Sequence, residues 1–126
     1  MGKHILVIDD DEAVRDAFDL ALRSLGVEVE TAEDGESGVQ RARVARPDLV
    51  FLDLRMPGKS GVEVLRDLQA LDASIPVYIV TGFYQAYFQE LSLAADDGLR
   101  FEVASKPLRG EQIREIAKAA LDMEGG

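Results

Sequence analysis

Leu49-Val50-Phe51-Leu52-Asp53-Leu54-Arg55-Met56-Pro57-Gly58 decides how this chain is read. Four apolar residues with no polar alternation predict a strand buried on both faces, as in the middle of a parallel sheet. The run then ends on a carboxylate. A charge at the end of a buried strand is costly unless something there uses it. Three other runs end in the same way. Ile5-Leu6-Val7-Ile8 leads into Asp9, Asp10 and Asp11; Val77-Tyr78-Ile79-Val80 leads into Thr81; Phe101 to Ala104 reaches Lys106 across one serine. Parallel strands would bring all four polar ends to one edge of one sheet.

Helical patterns fill the intervals, and this alternation predicts an α/β fold. Val14, Ala17, Phe18, Ala21, Leu22 and Leu25 recur in steps of three and four, one face of a first helix, and Gly26 ends it. Asp11 is the expected N-cap. Val27 to Thr31 alternates like a strand with one solvated face. Asp34-Gly35 turns the chain into a helix over about 36–45, which Pro47 stops. Helices are also expected over 62–71 and 83–95, with Asp97-Gly98 as the turn after the second. The last helix carries Ile113, Ile116, Ala117, Ala120 and Leu121 on one face. The strands fall at about 5–9, 27–31, 49–53, 77–81 and 101–105. Residues 1–126 read as one domain of five strands and five helices.

Composition narrows the function classes. Apolar residues make up 47% of the 126, enough for a proper core. There is no cysteine, which excludes disulfides and thiolate metal sites and fits a cytoplasmic protein. No apolar run is long enough to span a bilayer. Met1-Gly2-Lys3-His4 leads straight into the first strand, so no signal peptide is expected. The net charge of −10 argues against direct nucleic-acid binding by this chain, because phosphate backbones need a basic surface. Several of those charges are bunched in Asp9, Asp10, Asp11, Glu12 and Asp53, and a local excess of carboxylates calls for a cation.

Ligands of open α/β sheets bind beyond the C-terminal ends of the strands. Each residue at that edge has a task in phosphoryl chemistry. Asp9 and Asp10 supply oxygen ligands for a hard cation, and Mg²⁺ suits a pair of carboxylates. Asp53 is a third ligand or a nucleophile, since carboxylates form acyl phosphates. The Thr81 hydroxyl can donate to a phosphoryl oxygen, and the Lys106 ammonium can balance charge. Phosphoryl transfer is mostly positioning and charge neutralisation, so this set would suffice.

These motifs, with Thr81-Gly82 and Lys106-Pro107, resemble the receiver domain of two-component response regulators, and the resemblance covers essentially the whole chain. It implies a single flavodoxin-like, doubly wound domain with strand order 2-1-3-4-5. It implies that Asp53 accepts a phosphoryl group from a sensor histidine kinase or a phosphotransfer protein. Asp9 and Asp10 would hold Mg²⁺, Asp10 directly and Asp9 through water, with Asp53 and the Arg55 carbonyl as further ligands. Thr81 and Lys106 would contact the phosphoryl group, and the Lys106-Pro107 bond would be cis. The resemblance also implies a switch rather than a turnover enzyme. The chain would assist its own phosphorylation and autodephosphorylation, with readout near the fourth helix and fifth strand to an output partner or a homodimer. Arg55 and Phe83 lie where the family tunes the lifetime of the phosphoryl group.

Two departures bear on readout. The aromatic residue that family members often carry three positions before the lysine is Val103 in this chain, and valine cannot serve as that rotamer switch. The stretch from Thr81 to Lys106 is a few residues longer than usual and holds Phe83, Tyr84, Tyr87 and Phe88, half of the eight aromatics. Their spacing fits one helical face, which favours packing against the sheet, with a partner or dimer surface as the alternative. His4, the only histidine, is expected at the surface. Two other functions compete with the switch. One is an Mg²⁺-dependent phosphohydrolase with an aspartyl nucleophile. Enzymes resembling the haloacid-dehalogenase group want an acid two positions after that nucleophile, where Arg55 stands. The other is a degenerate receiver that acts only as a protein-binding module. Gly125-Gly126 follow just past the fifth helix, so no effector domain is expected within this stretch.

Overall fold

The computed structural model describes residues 2–122; Met1 and the terminal Gly125-Gly126 lie outside the described residues. Five parallel strands form one sheet: β1 (His4–Ile8), β2 (Glu28–Ala32), β3 (Leu49–Leu52), β4 (Val77–Thr81) and β5 (Glu102–Ser105). Their spatial order is β2-β1-β3-β4-β5, all parallel, the order that the family resemblance implied. The helices are α1 (Glu12–Arg23), α2 (Gly35–Val44), α3 (Gly61–Leu71), α4 (Phe88–Asp96) and α5 (Gly110–Ala120). A short 3₁₀ turn, Tyr84–Tyr87, precedes α4.

The period-2 pleat divides the apolar strands between two cores. Leu6, Ile8, Val50 and Leu52 face one way, with Val39 and Ala42 of α2, Leu65 and Leu68 of α3, and Leu91 and Ala94 of α4. Ile5, Val7, Leu49 and Phe51 face the other way, with Phe18 and Leu22 of α1 and Ile113 and Ala117 of α5. β3 is buried on both faces because helices cover both. Phe51 meets Phe18 edge-on, ring centroids 5.0 Å apart. Truncating such a ring to alanine costs about 3–5 kcal/mol.

Helix starts follow from short polar side chains. Asp11 Oδ1 accepts from the Ala13 N–H at 2.9 Å, and Asp34 Oδ1 accepts from the Ser37 N–H at 2.8 Å. Ser60 and Glu63 form a reciprocal capping box at α3. Gly26, with φ of +73°, takes the left-handed conformation past the end of α1. Ala17, placed by its spacing on the buried face of α1, is exposed; Phe18, Ala21 and Leu22 carry that contact. His4 is not a free surface residue: its Nε2 lies 3.0 Å from Glu30 Oε1 on β2, and Glu30 Oε2 accepts from Arg41 Nη1 at 2.8 Å.

The expected helix over 83–95 is divided. Residues 84–87 wind at three residues per turn, and α4 begins only at Phe88. A change of winding breaks the 3.6-residue period that put four aromatics on one face. Phe83, Tyr84 and Phe88 are exposed at 45%, 40% and 52%, and only Tyr87 packs on the core. Leu91 and Ala94 supply the buried face of α4 instead. The packing reading of this aromatic group is therefore corrected for three of its four members.

Candidate functional site

Asp9, Asp53 and Lys106 each occupy a position just past a strand, and each is held by the last carbonyl of a neighbouring strand. The Asp9 N–H donates to Ala32 O at 3.1 Å, the Asp53 N–H to Ile8 O at 3.0 Å, and the Lys106 N–H to Thr81 O at 3.0 Å. The parallel ladder thus runs one step beyond the apolar core and aims these side chains at a common place. Asp9, Asp53 and Thr81 are buried, at 3%, 5% and 1% exposure. Carboxylate oxygens of Asp9, Asp10 and Asp53 lie within 4.8 Å of one another. Asp10 is the exposed member of the three.

One cation serves two buried carboxylates. Lys106 Nζ lies 2.8 Å from Asp9 Oδ2 and 3.6 Å from Asp53 Oδ1. Burial pushes the Asp53 carboxyl up to about 6, and the Asp9 charge pushes the same way. Lys106 and the Arg55 N–H pull it down without cancelling the rise. Burial would lower the Lys106 ammonium, but its hydrogen bond to Asp9 and the Asp53 charge outweigh that and raise it. The site therefore carries more negative charge than its own lysine neutralises. Hard oxygen donors, close spacing and an exposed member fit a Mg²⁺ ion.

The opening above Asp53 is a cleft of about 470 Å³ lined by Asp10, Arg55, Met56, Gly82, Phe83 and Lys106 among others. Thr81 Oγ1 accepts from the Phe83 N–H at 2.9 Å, which leaves its own proton free to donate. The Lys106-Pro107 bond is cis. Every residue expected at the site is at this edge of the sheet.

The family model of the response regulator receiver domain matches residues 5–118. The chain belongs to the response regulator receiver family. Among curated relatives of this receiver, the alkaline phosphatase synthesis transcriptional regulatory protein PhoP of Bacillus subtilis is 32% identical over 123 residues. That match covers 96% of this chain and 49% of PhoP. The DNA-binding response regulator MtrA of Mycolicibacterium smegmatis is 38% identical, covering 96% of this chain and 51% of MtrA. The receiver spans about half the length of these relatives. Among solved structures, the CheY-like receiver domain protein of Methanospirillum hungatei JF-1 superimposes with a TM-score of 0.87 at 27% identity. That match covers 97% of this chain and 95% of the other. The receiver domain of NtrX from Brucella abortus gives 0.79 at 27% identity, covering 95% and 99%.

Three contributors escaped sequence reasoning. Arg15 Nη1 donates to Asp9 O at 2.8 Å and steadies the first acidic loop. The Phe83 backbone orients Thr81, and the Thr-x-Phe spacing suits such a turn. Gly61 admits the chain beside Asp53: a Cβ there would meet Leu54 Cα at 2.4 Å and Asp53 O at 2.7 Å. Its place after Ser60 marks a helix start, but no local pattern signals that approach.

Proposed function

We propose that Asp53 is the phosphoacceptor of a signalling switch. A sensor histidine kinase or phosphotransfer protein presents a phosphohistidine. An Asp53 oxygen attacks phosphorus, the P–N bond breaks, and the imidazole keeps the electron pair and gains a proton. The observation that carries this reading is the buried Asp53 carboxylate, raised to about 6, beside Asp9 and Lys106. Near pH 7 it is mostly ionised and thus nucleophilic. Lys106 turns from Asp9 toward the new oxyanions, and the Thr81 hydroxyl donates to one of them. Met56 and Phe83 narrow the approach of water.

Asp9, Asp10, Asp53 and the Arg55 carbonyl are the residues that would hold Mg²⁺. The ion would neutralise charge on the carboxylates and the phosphoryl oxygens. The chain assists its own modification and the later hydrolysis of the acyl phosphate, but turns over no outside substrate pool. A cytoplasmic location goes with the kinase partner. No described helix is long and apolar enough to cross a membrane. α4 and β5 form the surface offered to an output partner or a second copy, supported by the exposed Phe88 and Leu93.

The test is intact mass after incubation with acetyl phosphate and Mg²⁺, beside Asp53→Asn. One phosphoryl group gained, and absent from the variant, is the expected result. Steady phosphate release without an adduct would favour a phosphohydrolase. Neither outcome would leave a protein-binding module.

A further inference from the structure

The Arg55 guanidinium sits over the Phe83 ring, with Cζ 4.3 Å from the ring centroid. Arg55 follows Asp53 by two residues, and Phe83 follows Thr81 by two. Both side chains line the cleft that opens onto Asp53 and Lys106. The stack therefore bridges the loop after β3 and the loop after β4. Phe83 is also tied to Thr81 through its backbone N–H. The ring is 45% exposed, and a cation over an exposed ring is held only weakly.

A phosphoryl group on Asp53 would bring a different partner into the same cleft. Phosphate oxygens take a guanidinium through two parallel charge-assisted hydrogen bonds, each about twice as strong as a neutral one. Among the described residues the Arg55 guanidinium makes no comparable bond and rests on the Phe83 ring. The differential affinity of Arg55 for the two states is what can bias them.

We propose that Arg55 exchanges partners when Asp53 is modified, leaving the Phe83 ring for the phosphoryl oxygens and uncovering that ring. The exchange rests on Asp53 being the phosphoacceptor. Tyr84 and Phe88 already meet edge-on, centroids 5.8 Å apart, so the released ring adjoins an existing aromatic pair. Such a readout needs no inward-swinging aromatic in β5. Val103, which stands in that place, is half-buried against the core beneath α3 and α4.

Arginine-labelled protein with Mg²⁺ and excess acetyl phosphate provides the test, with NMR spectra and intact mass taken from one sample. In the unmodified protein the Phe83 ring current displaces the Arg55 side-chain protons upfield. Phe83→Leu removes that displacement and so assigns it. The expected result is loss of the displacement in proportion to the phosphorylated fraction. A phosphoryl group gained with the displacement unchanged overturns the exchange and leaves Asp53 as phosphoacceptor. No displacement in the unmodified protein also overturns it. Absence of any phosphoryl gain overturns the phosphoacceptor reading and the exchange together.

Discussion

Lys106 Nζ donates to Asp9 Oδ2 at 2.8 Å. It is 3.6 Å from Asp53 Oδ1, so Asp53 holds the weaker claim on this ammonium. The ammonium is committed to Asp9 in this structure. Removing one partner of a buried ion pair leaves the other uncompensated and typically costs about 3–5 kcal/mol. Lys106 is a quarter exposed, so Lys106→Met is expected to lose about 2–4 kcal/mol near pH 7. The loss should shrink near pH 4, where the folded-state Asp53 is already protonated. Urea unfolding at both pH values checks this, and an equal loss at both would contradict it.

Asp53→Asn should stabilise the metal-free protein. A carboxyl raised in the folded state contributes most below its unfolded value, and that contribution is lost as pH rises through the folded one. The window therefore runs from about 4 to about 6. The rise from 3.8 to about 6 corresponds to roughly 3 kcal/mol. Asparagine must still be hydrogen-bonded, so the expected gain is about 1–3 kcal/mol above pH 7 and near zero at pH 4. Asp34 and Asp72 act with the opposite sign. Hydrogen bonds from Ser37 and Ser74 lower them, so their contribution is lost as pH falls. The difference between the two proteins isolates Asp53. Unfolding in EDTA across pH 4 to 8 measures it, and a constant difference would refute the assignment.

Mg²⁺ should raise the melting temperature at pH 7.5. Binding to the folded state alone adds about 2.7 kcal/mol at a hundredfold excess over Kd. Asp10 is exposed, so Asp10→Ala should change stability little without the ion and abolish the shift. A full shift retained in Asp10→Ala would remove that residue from the site.

Gly61→Ala should damage both folding and the site. The added methyl would press on Leu54 Cα and Asp53 O, which are backbone atoms with nowhere to go. A loss of about 1–3 kcal/mol is expected, the usual cost of overpacking. Phosphorylation by acetyl phosphate should slow under conditions where the variant remains folded. Unchanged kinetics in the folded variant would show that the approach is not needed.

Arg55→Ala should shorten the life of the acyl phosphate. A long cation beside the phosphoryl group keeps water from its oxygens and phosphorus. The measurement is the decay of phosphorylated protein after removal of acetyl phosphate. An unchanged half-life would count against shielding by Arg55.

The architecture was written in the order of apolar runs and polar ends. Ile5 to Ile8, Leu49 to Leu52 and Val77 to Val80 are short, continuous and separated by helical periods. Only parallel strands under helical cover satisfy such runs, and that topology gathers Asp9, Asp53, Thr81 and Lys106 at one edge. Local chemistry also set the caps at Asp11, Asp34 and Ser60, because a side chain two or three residues from its backbone donor needs no distant partner. Tertiary structure decided the rest. The aromatics after Thr81 have a helical spacing, yet the chain winds as 3₁₀ there and leaves Phe83, Tyr84 and Phe88 at the surface. The preference of Lys106 for Asp9 and the stack of Arg55 on Phe83 join residues 97 and 28 positions apart, and the close approach at Gly61 joins backbones whose separation no local pattern encodes. Distances of a few tenths of an ångström set such contacts, and only the packed sheet and its loops fix those.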